Sequence, residues 1–222
     1  MLNWMKGGTA RPARRTVRDH APTRAESAGA RGIVAGTRIA TNEGWRRAET
    51  ICAGEAVMTF DNGPKPVRSV SRRLCPGPSA GKAVAQPLVV LAPGVAGNGS
   101  TLMLLPGQPI LLESDIAERL YGDPFALLPA TAMSELPDVS SMLSETPVGA
   151  VSLIFDDEQI VYADGQALLH CEGARTASPA TLDDAVFGPA TPYPVLPLAE
   201  ARWLLQATEL DREVPAAAPL SA

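Results

Sequence analysis

A mostly β domain of many short strands with two short helices is the fold class this sequence predicts. Three observations carry it. The 222 residues include 19 Gly and 21 Pro, a share that interrupts regular structure often and favours short elements joined by turns over a helix bundle. Six short runs rich in Val, Ile, Thr or aromatic residues are bounded by Gly, Pro, Asn or Asp, the pattern of half-buried strands. Helical spacing of apolar residues is confined to two stretches.

In chain order, strands are expected at Thr37–Thr41 (TRIAT), Ala56–Phe60 (AVMTF), Pro66–Ser71 (PVRSVS), Pro87–Ala92 (PLVVLA), Val151–Phe155 (VSLIF) and Gln159–Ala163 (QIVYA). Asn42–Gly44 and Asp61–Pro64 supply tight turns, because Asn and Gly tolerate positive φ. Asp156–Glu158 separates two strand-like runs and predicts a hairpin with an acidic, solvated tip. The first helix is Asp115–Tyr121, with Ser114 as its cap, Ile116 and Leu120 on one face and Gly122 at its end. The second is Leu198–Glu213, where Leu198, Ala201, Leu204, Leu205 and Thr208 recur at helical spacing behind Pro197.

Charge divides the chain. Residues 1–31 carry Lys6, Arg11, Arg14, Arg15, Arg18, Arg24 and Arg31 against Asp19 and Glu26, a net of +5, whereas the whole chain is −5. Residues 1–31 therefore read as a flexible basic arm, 32–213 as the folded domain and 214–222 as a disordered Ala/Pro tail. An acidic body lacks the clustered cations that phosphate contacts need, so no nucleic acid is expected on it. The arm has no apolar core of the kind a secretory leader carries. No apolar run approaches the roughly 18–20 residues that span a bilayer, so no membrane span is expected. Cys52, Cys75 and Cys171 are too few and too odd for a disulfide framework, which makes a reducing, cytoplasmic compartment the default. With His20 and His170 the only histidines and no Cys-x-x-Cys pair, no metal site and no cofactor are expected.

The stretch GTRIATNEGWRRAETICAGEAVMTFDNGPKPVRSVSRR (Gly36–Arg73) resembles the opening of bacterial Hint domains, the fold shared by hedgehog autoprocessing domains and inteins. The matching positions are Gly36-Thr37, Thr41, Gly44, Gly54-Glu55, Val57, Thr59, Asp61, Gly63, Pro66-Val67 and Arg72-Arg73, with Glu55 replacing the family's Asp. Pro87–Leu136 is similar to the family's central stretch. Leu105–Gln108 stands for its Ser-Pro-x-His box, Leu120–Gly122 for the helix end and Ala126–Ala130 for the segment ending Pro-Ala. Val151–Gly165 resembles the later run that carries another His. About 130 residues are covered, by pattern rather than by any one decisive box.

The resemblance implies an acyl shift. A Cys or Ser at the domain's first position attacks the preceding carbonyl, a His protonates the departing amide nitrogen, and hydrogen-bond donors hold the oxyanion. It also implies that the parts have been replaced. The nucleophile falls at Gly32, which has no side chain. The box Ser falls at Leu105 and its His at Gln108, an amide that does not titrate near neutral pH. The later His falls at Glu158, expected beside Asp156 and Asp157 as an exposed, ionised carboxylate. The expectation is a Hint-like domain with no catalytic residues at Gly32, Gln108 and Glu158, lacking autoprocessing activity and serving as a binding or regulatory module for an unnamed protein partner. Its alternative is an active self-cleaving domain that uses unusual residues; a third reading is a match of fold alone, with binding through the arm.

Other chemistry-bearing residues have plainer readings. Thr37 pairs or caps in its turn. Cys52 is expected as a small buried hydrophobe. His170 and Cys171 are neighbours on a strand and point to opposite faces, so they make no dyad. Asp156, Asp157 and Glu158 lack the loop pattern of a calcium site. Trp45 is expected to pack against the edge of the core.

Overall fold

The computed structural model describes residues 29–76, 87–174 and 193–213, the side chains of 212 and 213 excepted. Most of the basic arm (1–28) and the tail (214–222) lie outside the described residues. Fourteen strands and two α-helices are described. The strands are β1 (Ile33–Val34), β2 (Arg38–Thr41), β3 (Gly44–Arg47), β4 (Ala56–Thr59), β5 (Gly63–Pro66), β6 (Ser69–Cys75) and β7 (Leu88–Leu91). They continue with β8 (Leu102–Leu104), β9 (Pro109–Glu113), β10 (Phe125–Pro129), β11 (Val139–Met142), β12 (Val148–Ile154), β13 (Gln159–Ala163) and β14 (Ala167–Cys171). The helices are α1 (Asp115–Tyr121) and α2 (Leu198–Glu213).

All pairings between these strands are antiparallel and build two sheets. The first has the order β11-β7-β8-β1-β12-β6; the second runs β10-β9-β14-β13-β2-β4-β5, with β3 against β2 and β13 also touching β4. One large core joins them. Ile33, Leu104, Val151 and Leu153 from the first sheet meet Ile39, Ile110, Leu128, Val161 and Leu169 from the second. Each such side chain contributes about 1.5–3 kcal/mol of apolar burial. No helix among the described residues is long and apolar enough to cross a membrane.

Two hairpins show the turn chemistry the sequence predicts. In β2–β3 the Thr41 hydroxyl donates to the Gly44 carbonyl (2.7 Å) and accepts from the Glu43 N–H (3.2 Å). In β4–β5 Thr59 does the same for the Gly63 carbonyl (2.7 Å) and the Asn62 N–H (3.3 Å). Gly44 and Gly63 take positive φ, 109° and 63°, at the points where the returning strands begin.

The helices follow their expected bounds. Ser114 Oγ accepts from the Ala117 N–H (3.3 Å), and Gly122 closes α1 at φ 72°. On α2, Ala201, Leu204 and Leu205 enter the main core. The Thr208 hydroxyl donates to the Leu204 carbonyl (2.8 Å). Its 2.7 Å contact with Ser114 Oγ therefore uses the Ser114 proton.

Several expectations are corrected. Val151–Phe155 and Gln159–Ala163 do not form a hairpin: β12 belongs to the first sheet, between β1 and β6, and β13 to the second. Both runs are buried on most positions, and each needs two flanking strands rather than one. The run Pro66–Ser71 breaks at Val67-Arg68, where the chain changes sheets. Val67 still exchanges hydrogen bonds with Gly54 and Glu55 of the second sheet's loop, while the Arg68 N–H already bonds the Ile154 carbonyl of the first (2.8 Å). Trp45 is 48% exposed, because β3 lies outside the main path of its sheet and carries little cover, and Cys52 is exposed, not buried, because it sits in the loop before β4, outside both sheets.

Candidate functional site

The head of β1 is the centre of the site. Ile33 pairs with Val151 of β12 and with Leu104 of β8, and Val34 pairs with Ala150. That register puts Gly32 beside Ser152: a Cβ built on Gly32 would lie 3.5 Å from Ser152 Oγ and 3.4 Å from the Val151 carbonyl. Gly32 holds φ at +121°, a backbone state that favours glycine.

The loop after β8, Leu105–Gln108, passes the same point on its way into β9. Gln108 is buried, and its amide is fully used. Oε1 accepts from the Gly32 N–H (3.0 Å), while Nε2 donates to the carbonyls of Pro109 (3.1 Å) and His170 (2.9 Å). Leu105, in the box-Ser position, is a buried core residue, 1% exposed. On the other side β6 contributes two arginines from alternate faces. Arg72 donates to the backbone carbonyls of Glu49 (3.0 Å) and Ile51 (2.6 Å). Arg73 Nη2 donates to the carbonyl of Arg31.

The peptide unit between Arg31 and Gly32 is thus held at both polar ends, its oxygen by Arg73 and its N–H by Gln108. Beside it lies a cavity of about 30 Å³, bordered by Gly32, Gln108, Ser152, His170 and Cys171 among others. That is space on the scale of one water molecule.

Gly32 and Gln108 therefore meet, and Glu158 stands one shell away. The expectation of an exposed Glu158 is corrected: its side chain is 7% exposed and faces His170, with Oε2 3.4 Å from Nε2. The tie to the site runs through His170, whose backbone carbonyl bonds Gln108 and whose ring faces Glu158 and, at 6.3 Å between centroids, Tyr193. Asp156 is occupied by Arg68 (2.9 Å). Among the described residues no group of three His, Cys, Asp or Glu side chains is placed to hold a metal ion.

Sequence reasoning missed Ser152, which no motif marks, and assigned Arg73 to a basic pair without a role. The only signal for Arg73 is the alternation of β6, which sends Arg72 and Arg73 to different sides of one strand.

Cys171 borders the cavity and is buried. Burial, and after it the charge of Glu172, pushes its thiol up to about 12, which keeps it protonated at neutral pH. With a disulfide-exchange reagent at pH 8, Cys52 is expected to react first. Cys171 is expected to react only when denaturant opens the fold. Rapid modification of Cys171 in the native chain, read by peptide mapping, would contradict this burial.

A family model described as the Hint domain matches residues 32–178. Comparison with curated proteins returned no match. Among solved structures, the chain is similar to a bacterial intein-like domain from Clostridium thermocellum, at 20% identity and TM-score 0.42, over 64% of this chain and 99% of that one. It is also similar to the MchDnaB-1 intein, at 13% identity and TM-score 0.36, over 62% and 98% respectively. With the family match spanning well over half of its residues, the chain belongs to the Hint domain family.

Proposed function

We propose that this Hint domain does not cleave itself and is retained as a scaffold that binds or regulates. One observation carries the reading: the Arg31–Gly32 peptide is seated and clamped, while the residue beside its carbonyl has no side chain to attack with. Covalent catalysis needs a nucleophile next to the scissile carbonyl. Departure of the amine needs a proton donor, and the group on the Gly32 nitrogen is the Gln108 carbonyl oxygen, an acceptor. The same reading treats 32–213 as the domain, with the basic arm before it. It gives the folded body a protein partner rather than a nucleic acid, and a cytoplasmic setting in keeping with three free cysteines.

One arrangement favours a second reading, self-cleavage through an unusual residue. Ser152 Oγ lies close to Gly32, and Arg73 polarises the Arg31 carbonyl. In that reaction the Ser152 oxygen bonds to the Arg31 carbonyl carbon, the C–N bond breaks, and the serine proton passes to the Gly32 nitrogen. Water then hydrolyses the ester, releasing the Arg31 carboxylate and regenerating Ser152. Against it, the His170 ring is directed at Glu158 and serves no serine.

Intact mass of the purified full chain over several days, with and without added thiol, decides between the two. A single unchanged mass is expected. A fragment beginning at Gly32 overturns the scaffold reading, and its disappearance in Ser152→Ala would establish the second.

A further inference from the structure

The three residues before Gly32 are fitted to the domain as closely as a bound peptide. The Gly29 α-carbon side faces the loop after β8 with no room for a side chain: a Cβ there would lie 2.6 Å from the Gly107 nitrogen and 2.9 Å from Pro106 Cβ. The crowding is reciprocal, since a Cβ on Gly107 would run into the Gly29 carbonyl and approach the Ala30 oxygen at 3.1 Å. Neither glycine has the positive φ that would explain it by conformation. Both are required by space, two backbones passing at a distance only glycines allow.

The next positions are read in other ways. The Ala30 methyl packs on a small apolar cluster of Val34, Leu88, Leu105 and Ala150. The Ala30 carbonyl accepts from the Gly107 N–H (3.0 Å). The Arg31 side chain faces Glu172 (3.8 Å), and its carbonyl takes the Arg73 guanidinium. A steric gate, an apolar dimple, a carboxylate and two hydrogen bonds to backbone carbonyls thus line up along three residues. Recognition of an extended peptide is built from this combination: main-chain bonds for affinity and pockets for alternate side chains.

We propose that the groove between Pro106–Gln108 and Arg73 is a peptide-binding site selective for glycine, then a small apolar residue, then a basic one. Residues 29–31 are its occupant in cis. Gly29 and Gly107 are the specificity-determining pair, and Leu105, in the box-Ser position, forms part of the alanine dimple. The inference rests on the non-cleaving reading, because a cut after Arg31 frees the occupant.

The test uses the full chain carrying Gly29→Val and follows amide hydrogen exchange. The expected result is exchange at the Gly107 and Gly32 amides faster by at least about tenfold, with the β13–β14 amides unchanged as the control for global folding. Gly29→Ala, with one methyl in the same place, is expected to give a smaller change of the same kind. Adding the peptide acetyl-Glu-Ser-Ala-Gly-Ala-Arg-amide at millimolar concentration to the Gly29→Val chain is expected to restore protection at Gly107. The same peptide with Val in place of its Gly is expected not to. Unchanged exchange in both variants, no restoration by the glycine peptide, or equal restoration by the valine peptide each overturns the proposal. Intact mass on the same samples reports separately on cleavage after Arg31, so failure of the groove and failure of the non-cleaving reading are told apart.

Discussion

Gly32→Cys is expected to leave the chain uncut and to lower its stability by about 2 kcal/mol, within the usual cost of a non-glycine residue in a strained backbone region. The space beside Gly32 is not the obstacle, since a Cβ would meet Val151, Ala150 and Ser152 at 3.4–3.5 Å. The backbone is: φ is +121°, and a side chain there must either accept strain or turn the peptide. Turning it breaks the 3.0 Å bond from the Gly32 N–H to Gln108, the bond that orients the peptide. The thiol also has no partner for the proton step, which supplies about 10²–10⁴-fold in rate when a titrating group is present. Adding Gln108→His does not complete the set. The histidine would lose the links to the Pro109 and His170 carbonyls that place the loop. The expected outcome for single and double variants is one intact mass, no thioester trapped by hydroxylamine, and a urea midpoint below that of the parent. Efficient release of a fragment starting at position 32 in the single variant would show that the Gly32 side chain is the one missing part, contrary to the geometry.

The parts of this structure that were legible in the sequence are those governed by local rules. The Ser114 cap and Gly122 stop bound α1, the apolar spacing of 198–208 marks α2, and Asn, Asp and Gly mark the turns of the β2–β3 and β4–β5 hairpins. Gly32 and Gln108 were legible as a pair because each sits next to a recognisable turn or box. Glu158 was misread because its acidic neighbours look solvated. Its burial is decided by His170, twelve residues away on β14, and by the sheet change that follows β12. The largely apolar runs at Pro109–Glu113 and Phe125–Pro129 hid two strands, β9 and β10, because successive buried positions lose the alternation that identifies a strand. Gly29 and Gly107 carry no signal beyond their identity: the closeness of two backbones 78 residues apart is a tertiary fact.

The largest stability loss is expected at Asp164, a residue that only the assembled sheets explain. It follows β13 with φ at +42°, and its carboxylate ties three segments together. Oδ1 accepts from Arg38 Nε (2.8 Å) and Nη2 (2.6 Å) on β2. Oδ2 accepts from the Ser100 hydroxyl (2.5 Å) and N–H (3.1 Å) in the loop before β8. Its side chain is 6% exposed whereas that of Arg38 is 51% exposed, so solvent screens part of the ion pair and the bonds to Ser100 weigh more. Asp164→Asn is expected to cost about 2 kcal/mol at pH 7, and Asp164→Ala about 3 kcal/mol, since alanine also tolerates the positive φ less well. The acid response distinguishes this charge from a mere space-filling role. Burial acts to raise the carboxyl, but the Ser100 hydroxyl, Arg38 and the Ser100 N–H together hold it below the ordinary value of 3.8. A depressed folded-state value means the contribution is fully present above the unfolded value and is lost as pH falls through it toward the folded one. Urea unfolding of parent and Asp164→Asn at pH 7 and at about pH 3 should therefore show the gap between them narrowing in acid. A gap that stays constant would mean that the carboxylate charge takes no part in joining β2, the Ser100 loop and β13.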